Sequence, residues 1–165
     1  MTAEKPISID GLKLSPELVQ IKLPAGDPPP ALMVFRKLAQ QRINMLFVCL
    51  ETTSGGLTGS CCILSEDLAS TEAALDAMVH QLDIVPSVGA LTVFPHRSRL
   101  DLLVGVLASF AESRLPVYGI ASSLSTLTFC TDFARLGDAV QAVRQVAELP
   151  TDHTPFRSAL RIRQV

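Results

Sequence analysis

HRSRLDLLVGVLASFAESRLPVYGIASSLSTLTFCTD, residues 96–132, decides the fold. Its first part has a helical period. Leu100, Leu103, Val104, Leu107, Phe110 and Ala111 recur at intervals of three and four, which puts them on one face, while Asp101, Ser109 and Glu112 fall elsewhere. Leu115-Pro116 breaks that period, and residues 117–131 turn rich in Ser, Thr and aliphatic side chains, a strand composition. Gly89 to Phe94 reads as a strand before the helix, and Leu136 to Val146 as a second helix after the strands. The order is strand, helix, strand, strand, helix, and it occurs earlier in the chain as well.

Working toward the N-terminus, Ile7 to Leu12 reads as a short strand. Leu18 to Leu23 alternates, with Leu18, Gln20 and Lys22 on a wet face and Val19, Ile21 and Leu23 on the other. Ala25 to Pro30 is a stiff loop, and because proline is tolerated in the first helical turn a helix begins near Pro29 or Pro30. It runs to about Gln41, with Ala31, Val34, Phe35 and Leu38 inward. Asn44 to Glu51 is the next strand. Thr53-Ser54-Gly55-Gly56 is a hairpin turn whose two glycines supply positive φ, and Leu57 to Leu64 pairs back. Leu68, Leu75, Met78, Val79 and Leu82 mark a second helix stripe, and Leu82 to Val85 is a short strand that closes the first half.

The two halves repeat. Gln40–Asn44 stands 72 positions before Glu112–Pro116, at the same helix-to-strand junction, so the chain reads as an internal duplication with units at 1–86 and 87–165. Leu149-Pro150-Thr151-Asp152 is a linker, and Ser158 to Val165 alternates as a terminal strand. The basic residues Arg157, Arg161 and Arg163 read as a solvated strand edge.

Composition supports a folded α+β chain and excludes several roles. At 165 residues, 48% hydrophobic and 18% charged, the chain can bury a core, and with one Tyr and no Trp that core is aliphatic. A net charge of −2 gives no general attraction to nucleic acid or to an anionic membrane. The N-terminus has no apolar signal core and no apolar stretch reaches the ~18 residues that span a bilayer, so the expectation is a soluble cytoplasmic protein. Cys49, Cys61, Cys62 and Cys130 form no CxxC pair and lie in apolar strand-like runs; they read as free buried thiols, and no His stands at ligand spacing for a metal.

These residues resemble the tandem ACT domains of the aspartokinase regulatory region. Arg97-Ser98 stands at the family's loop, Ala111-Glu112-Ser113-Arg114-Leu115 at its helix end, and Ala121-Ser122-Ser123 with Asp132 on its Ser-Thr-Ser strand. In the first unit Phe35, Leu38, Ala39, Ile43 and Asn44 fit the family's helix end and Ile-Asn pair. The resemblance implies two ferredoxin-like βαββαβ units with antiparallel sheets and helices on one face, and a strand exchange in which strand 7–12 leaves the first unit and joins the second unit's sheet. It also implies a regulatory protein that senses an amino acid. No Gly-rich phosphate loop precedes Ile7, so the kinase part of that family is not represented. The family's glycine at the first-unit helix start is Pro29 here, Leu100-Asp101 replaces Pro-Gly in the second unit, and Leu46 and Leu50 stand where the family has Asp and Gln.

No acid, base and nucleophile set converges, so the expectation is not an enzyme; Ser122, Ser123 and Ser125 have no His-Asp pair beside them. His96-Arg97-Ser98-Arg99 is the one dense polar group at a strand end, read as an anion site at a helix N-terminus or as an exposed basic loop. The candidate ligand residues are Asn44, Asp27, Arg97, Ser98 and Arg99, the ligand an amino acid or a small anion, with no cofactor and no metal. Exposed sheet edges imply a homodimer. The alternative function is a degenerate ACT pair that serves as a dimerisation module without ligand.

Overall fold

A single twelve-residue strand, Asp83–Phe94, runs through the middle of the topology in the computed structural model, which describes residues 7–151 and 155–157. The elements in order are β1 (Ile7–Ser8), β2 (Gly11–Leu14), β3 (Leu18–Leu23), α1 (Pro30–Gln40), β4 (Phe47–Thr53), β5 (Gly56–Leu64), α2 (Leu68–Val79), β6 (Asp83–Phe94), α3 (Leu100–Glu112), β7 (Gly119–Ser122), β8 (Leu127–Asp132), α4 (Leu136–Val146), β9 (Ala147–Glu148) and β10 (Phe156–Arg157). The separate strands expected at 82–85 and 89–94 are therefore one strand. Pro86, which donates no hydrogen bond, sits where Gln20 faces Val85 and Leu18 faces Val88, an irregularity that leaves an extra residue on β6 and holds Ser87 at φ 56°. The ladder absorbs the proline as a bulge and does not end at it.

The chain divides into two compact units: Glu17–Val88, and the residues up to Pro16 together with those from Gly89 onward. In the first, the strands lie in the order β6, β3, β5, β4, all antiparallel. α1 and α2 cover one face, burying Val19, Ile21, Leu23, Cys61 and Ile63 against Ala31, Val34, Leu38 and Leu75. In the second, the order is β2, β6, β8, β7, so the place that the first unit fills with its own last strand is filled here by β2 from the N-terminal segment. α3 and α4 pack on that sheet around Leu102, Val106, Phe110, Phe129, Ala139 and Val143. The architecture is two ferredoxin-like α+β units, and among the described residues the two-residue contacts β1–β9 and β10–β2 are parallel.

The sequence reading needs correction in places. Residues 7–12 are not one strand: the ladder breaks at Ile9–Asp10, and β2 extends to Leu14. β3 has no wet face. It is paired on both sides, Leu18 and Gln20 are buried, and Gln20 donates to Ser60 Oγ; only Lys22 is exposed. The buried face of α3 lies about one position away from the expected one. Leu102, Val106, Ser109 and Phe110 are buried, while Leu100 and Val104 are 74% and 65% exposed. The helix is apolar around most of its circumference, so periodicity alone does not choose the face. Phe35 and Leu107 are partly buried at the margin of their cores. β4 begins at Phe47, three residues later than expected, because the helix end extends through Ile43, whose N–H bonds the Leu38 carbonyl. In the hairpin only Gly56 has positive φ, 108°. Cys49 is exposed, since β4 is an edge strand; the other three cysteines are buried. The expected terminal strand Ser158 to Val165 lies outside the described residues.

Candidate functional site

The loop from β6 to α3 is held by His96. Its ring is buried; Nε2 donates to the Ser123 carbonyl at 2.8 Å, and Nδ1 accepts the Ser98 N–H at 3.1 Å. Its own backbone N–H donates to the Ser125 carbonyl. With both nitrogens engaged, the imidazole is the neutral Nε2–H tautomer. It ties the loop to the Ser123–Thr126 turn, which Ser123 Oγ closes by accepting the Thr126 N–H. The next two residues, Arg97 and Ser98, both adopt left-handed backbone, φ 50° and 55°. Side-chain residues rarely adopt that conformation, at roughly 1–2 kcal/mol each. The polar quartet is therefore a folded clamp that presents two exposed arginines.

Those arginines already have carboxylate partners. Arg99 makes a paired interaction with Asp101, Nε donating to both carboxylate oxygens at 3.0 and 3.1 Å. Asp101 also accepts the Leu102 N–H. Hydrogen bonding from Arg99 holds the Asp101 carboxyl below the usual carboxylate range. Arg97 lies 3.9 Å from Asp10, with both side chains largely exposed, a weak pair. The two guanidinium groups thus face different carboxylates, Arg97 towards Asp10 and Arg99 on Asp101 in the first turn of α3.

Asp27 and Asn44 belong to the other unit. Asp27 is exposed in the loop before α1, and Asn44 is half-buried between α1 and β4. The start of α1 offers few donors: Pro29 caps it, Pro30 is its first residue, and the Leu32 N–H is taken by the Pro29 carbonyl. Leu46 is 44% exposed, presenting an apolar side chain. A contact that the sequence does not reveal joins Tyr118 to Asp132: the phenol donates to the carboxylate at 2.5 Å, and this bond pushes the tyrosine up from its ordinary range. The two residues face each other only because β7 and β8 pair. Among the described residues no group of three or more His, Cys, Asp or Glu is placed to hold a metal, and no helix is long and apolar enough to cross a membrane.

Two βαββ-helix units, one completed by a strand from the N-terminal segment, share the ACT-type fold of aspartate kinase regulatory regions. The regulatory subunit of aspartate kinase from Thermus thermophilus, in its ligand-free form, superposes with a TM-score of 0.73 at 17% identity, over 86% of this chain and 100% of that one. Its Thermus flavus counterpart gives 0.72 at 16%, over 84% and 98%. Aspartokinase III from E. coli, in complex with lysine and aspartate, gives 0.64 at 17%, over 89% of this chain and 35% of that one. The likeness is one of fold. No protein-family model matches the sequence, and no curated protein does.

Proposed function

We propose that the chain is a non-catalytic regulatory module of the ACT type, cytoplasmic, which acts as an oligomer and reports a small molecule. The observation that carries this reading is the match to a separate regulatory subunit over that subunit's entire length. An amino acid is the ligand class that the lysine and aspartate complex suggests. The ligand residues in this reading are Arg97, Ser98 and Arg99 on one unit and Asp27 and Asn44 on the other. Arg97 is the most available cation of the group, because its partner is distant and both side chains are wet.

A second reading, an assembly module without ligand, is favoured by one specific feature. An α-amino acid brings a carboxylate that seeks helix N–H groups and an ammonium that seeks an acid. Pro29 and Pro30 donate nothing, and Leu46 carries no charge. Titration calorimetry with the standard amino acids separates the two. A Kd below about 100 μM, roughly 5.5 kcal/mol, weakened by Arg97→Ala, supports the sensor. Heat no greater than dilution for all of them, with a cooperative melt, supports the assembly module.

A further inference from the structure

We propose that His96 is a proton-operated latch. Its neutral ring holds the loop of residues 95–99 closed on the Ser123–Thr126 turn, and uptake of a proton at Nδ1 releases the loop. The latch stands on the loop's own geometry. Only its consequence for a ligand at Arg97, Ser98 and Arg99 rests on the sensor reading.

The ring is buried, and its two nitrogens are used in opposite senses: Nε2–H donates to the Ser123 carbonyl and Nδ1 accepts the Ser98 N–H. Neutral imidazole supplies one donor and one acceptor, whereas imidazolium is a donor at both nitrogens. A proton on Nδ1 therefore sets donor against donor across the 3.1 Å that the hydrogen bond to Ser98 now spans. The closed loop has no place for it.

What this bond holds is a strained segment. Arg97 and Ser98 are consecutive left-handed residues, φ 50° and 55°, and neither is glycine. The bend is closed by the Ser98 N–H on Nδ1 and by the Arg99 N–H on the His96 carbonyl. With the first bond gone, the backbone preference carries residues 97–99 out of the left-handed region. The opposite wall stays in place, because the Ser123–Thr126 turn closes on itself: Ser123 N–H reaches the Thr126 carbonyl, and Ser123 Oγ accepts the Thr126 N–H. The His96 N–H keeps its own bond to the Ser125 carbonyl. Release is thus local to the loop that carries the arginines.

No neighbouring charge offsets the added proton. The charged groups around the ring are Arg97 and Arg99 on its own loop, Asp101 in the first turn of α3 and Asp10 just before β2; the turn itself is Ser, Leu, Ser and Thr. Lys13 and Asp132 lie further along β2 and β8. Asp10 faces Arg97 and Asp101 faces Arg99, and the ring forms no ion pair with either carboxylate. The two arginines are like charges to an imidazolium.

The test follows amide exchange of the whole chain from about pH 8 to about pH 5, the range in which histidine changes charge, with rates corrected for the intrinsic pH dependence of exchange. A loop closed only around the neutral ring opens about tenfold more for each pH unit below the ring's titration, so the Ser98 amide loses at least about tenfold in protection while Phe129, in β8, keeps its own. Nitrogen resonances of the His96 ring report its protonation in the same samples. His96→Gln, whose amide offers a donor and an acceptor and does not titrate, makes Ser98 protection level across the range. His80→Gln, at an exposed histidine, leaves the wild-type dependence intact. Level Ser98 protection in the wild type while the ring gains its proton overturns the latch, as does a ring that stays neutral down to about pH 5. So does a loss that Phe129 shares, or one that persists in His96→Gln; if that variant does not fold, the wild-type titration decides. Calorimetry with amino acids is a separate readout: no binding sinks the sensor reading and leaves the latch standing, and level Ser98 protection does the reverse.

Discussion

Arg42 and Arg114 stand 72 positions apart and end α1 and α3 in the same left-handed conformation, φ 57° and 52°. Around each the hydrogen bonds are identical in pattern. Arg42 N–H reaches the Ala39 carbonyl and Ile43 N–H the Leu38 carbonyl; Arg114 N–H reaches Ala111 and Leu115 N–H reaches Phe110. This is the Schellman helix ending, with the buried pairs Leu38–Ile43 and Phe110–Leu115 as its apolar contact. The second ending is also capped from outside, where Arg135 donates to the carbonyls of Arg114 and Ser113.

Glycine is the residue that this position favours, since it has no Cβ to clash. Arg42→Gly and Arg114→Gly should each stabilise by up to about 1 kcal/mol, the relief of left-handed strain less the added unfolded-state entropy. Denaturant melts decide it. Arg42→Val, β-branched, should destabilise.

Phe110 anchors the larger core and stacks obliquely on Phe129, ring centroids 5.4 Å apart. Phe110→Ala should cost about 3–5 kcal/mol and Leu38→Ala about 2–5 kcal/mol, while Leu107→Ala and Phe35→Ala at the margins should cost less. Urea unfolding of the four variants gives the order.

Gly59 lies where a Cβ would meet the Cys49 carbonyl at 2.0 Å, with φ 152°. Gly59→Ala should destabilise by more than about 1 kcal/mol. Because the obstacle is the backbone of β4, amide exchange should show that strand opening first.

Burial pushes the Cys61 thiol up to about 12 from 9.0. The raised value means that the folded state holds the proton more tightly. Stability should be full below about pH 9 and fall as pH rises toward 12, where the unfolded thiol ionises first. At neutral pH a thiol reagent should modify Cys49 alone among the four until denaturant is added.

His96→Ala removes the acceptor of the Ser98 N–H and the donor to the Ser123 carbonyl. A loss of about 1–3 kcal/mol is expected, with faster exchange of the Ser98 amide. Unchanged exchange at Ser98 would mean that the ring does not hold the loop.

The sequence by itself determined the repeated strand-helix order, the place of the four α-helices among the described residues and the bounds of α4, because helix ends, turns and apolar periods are local properties that a few neighbouring residues set. It also marked the Arg97–Arg99 loop and the departures at Pro29 and Leu46. Only the tertiary structure decided the rest. Which face of α3 is buried depended on where the sheet and α4 lie, since Leu and Val occur on nearly every side of it. The continuity of β6 through Pro86 depended on β3 accepting a bulge. That Arg99 is spent on Asp101, that Tyr118 meets Asp132, and that His96 reaches the Ser123 carbonyl are facts of pairing between segments. Burial and partnership belong to surfaces brought together by folding, and no local pattern carries them.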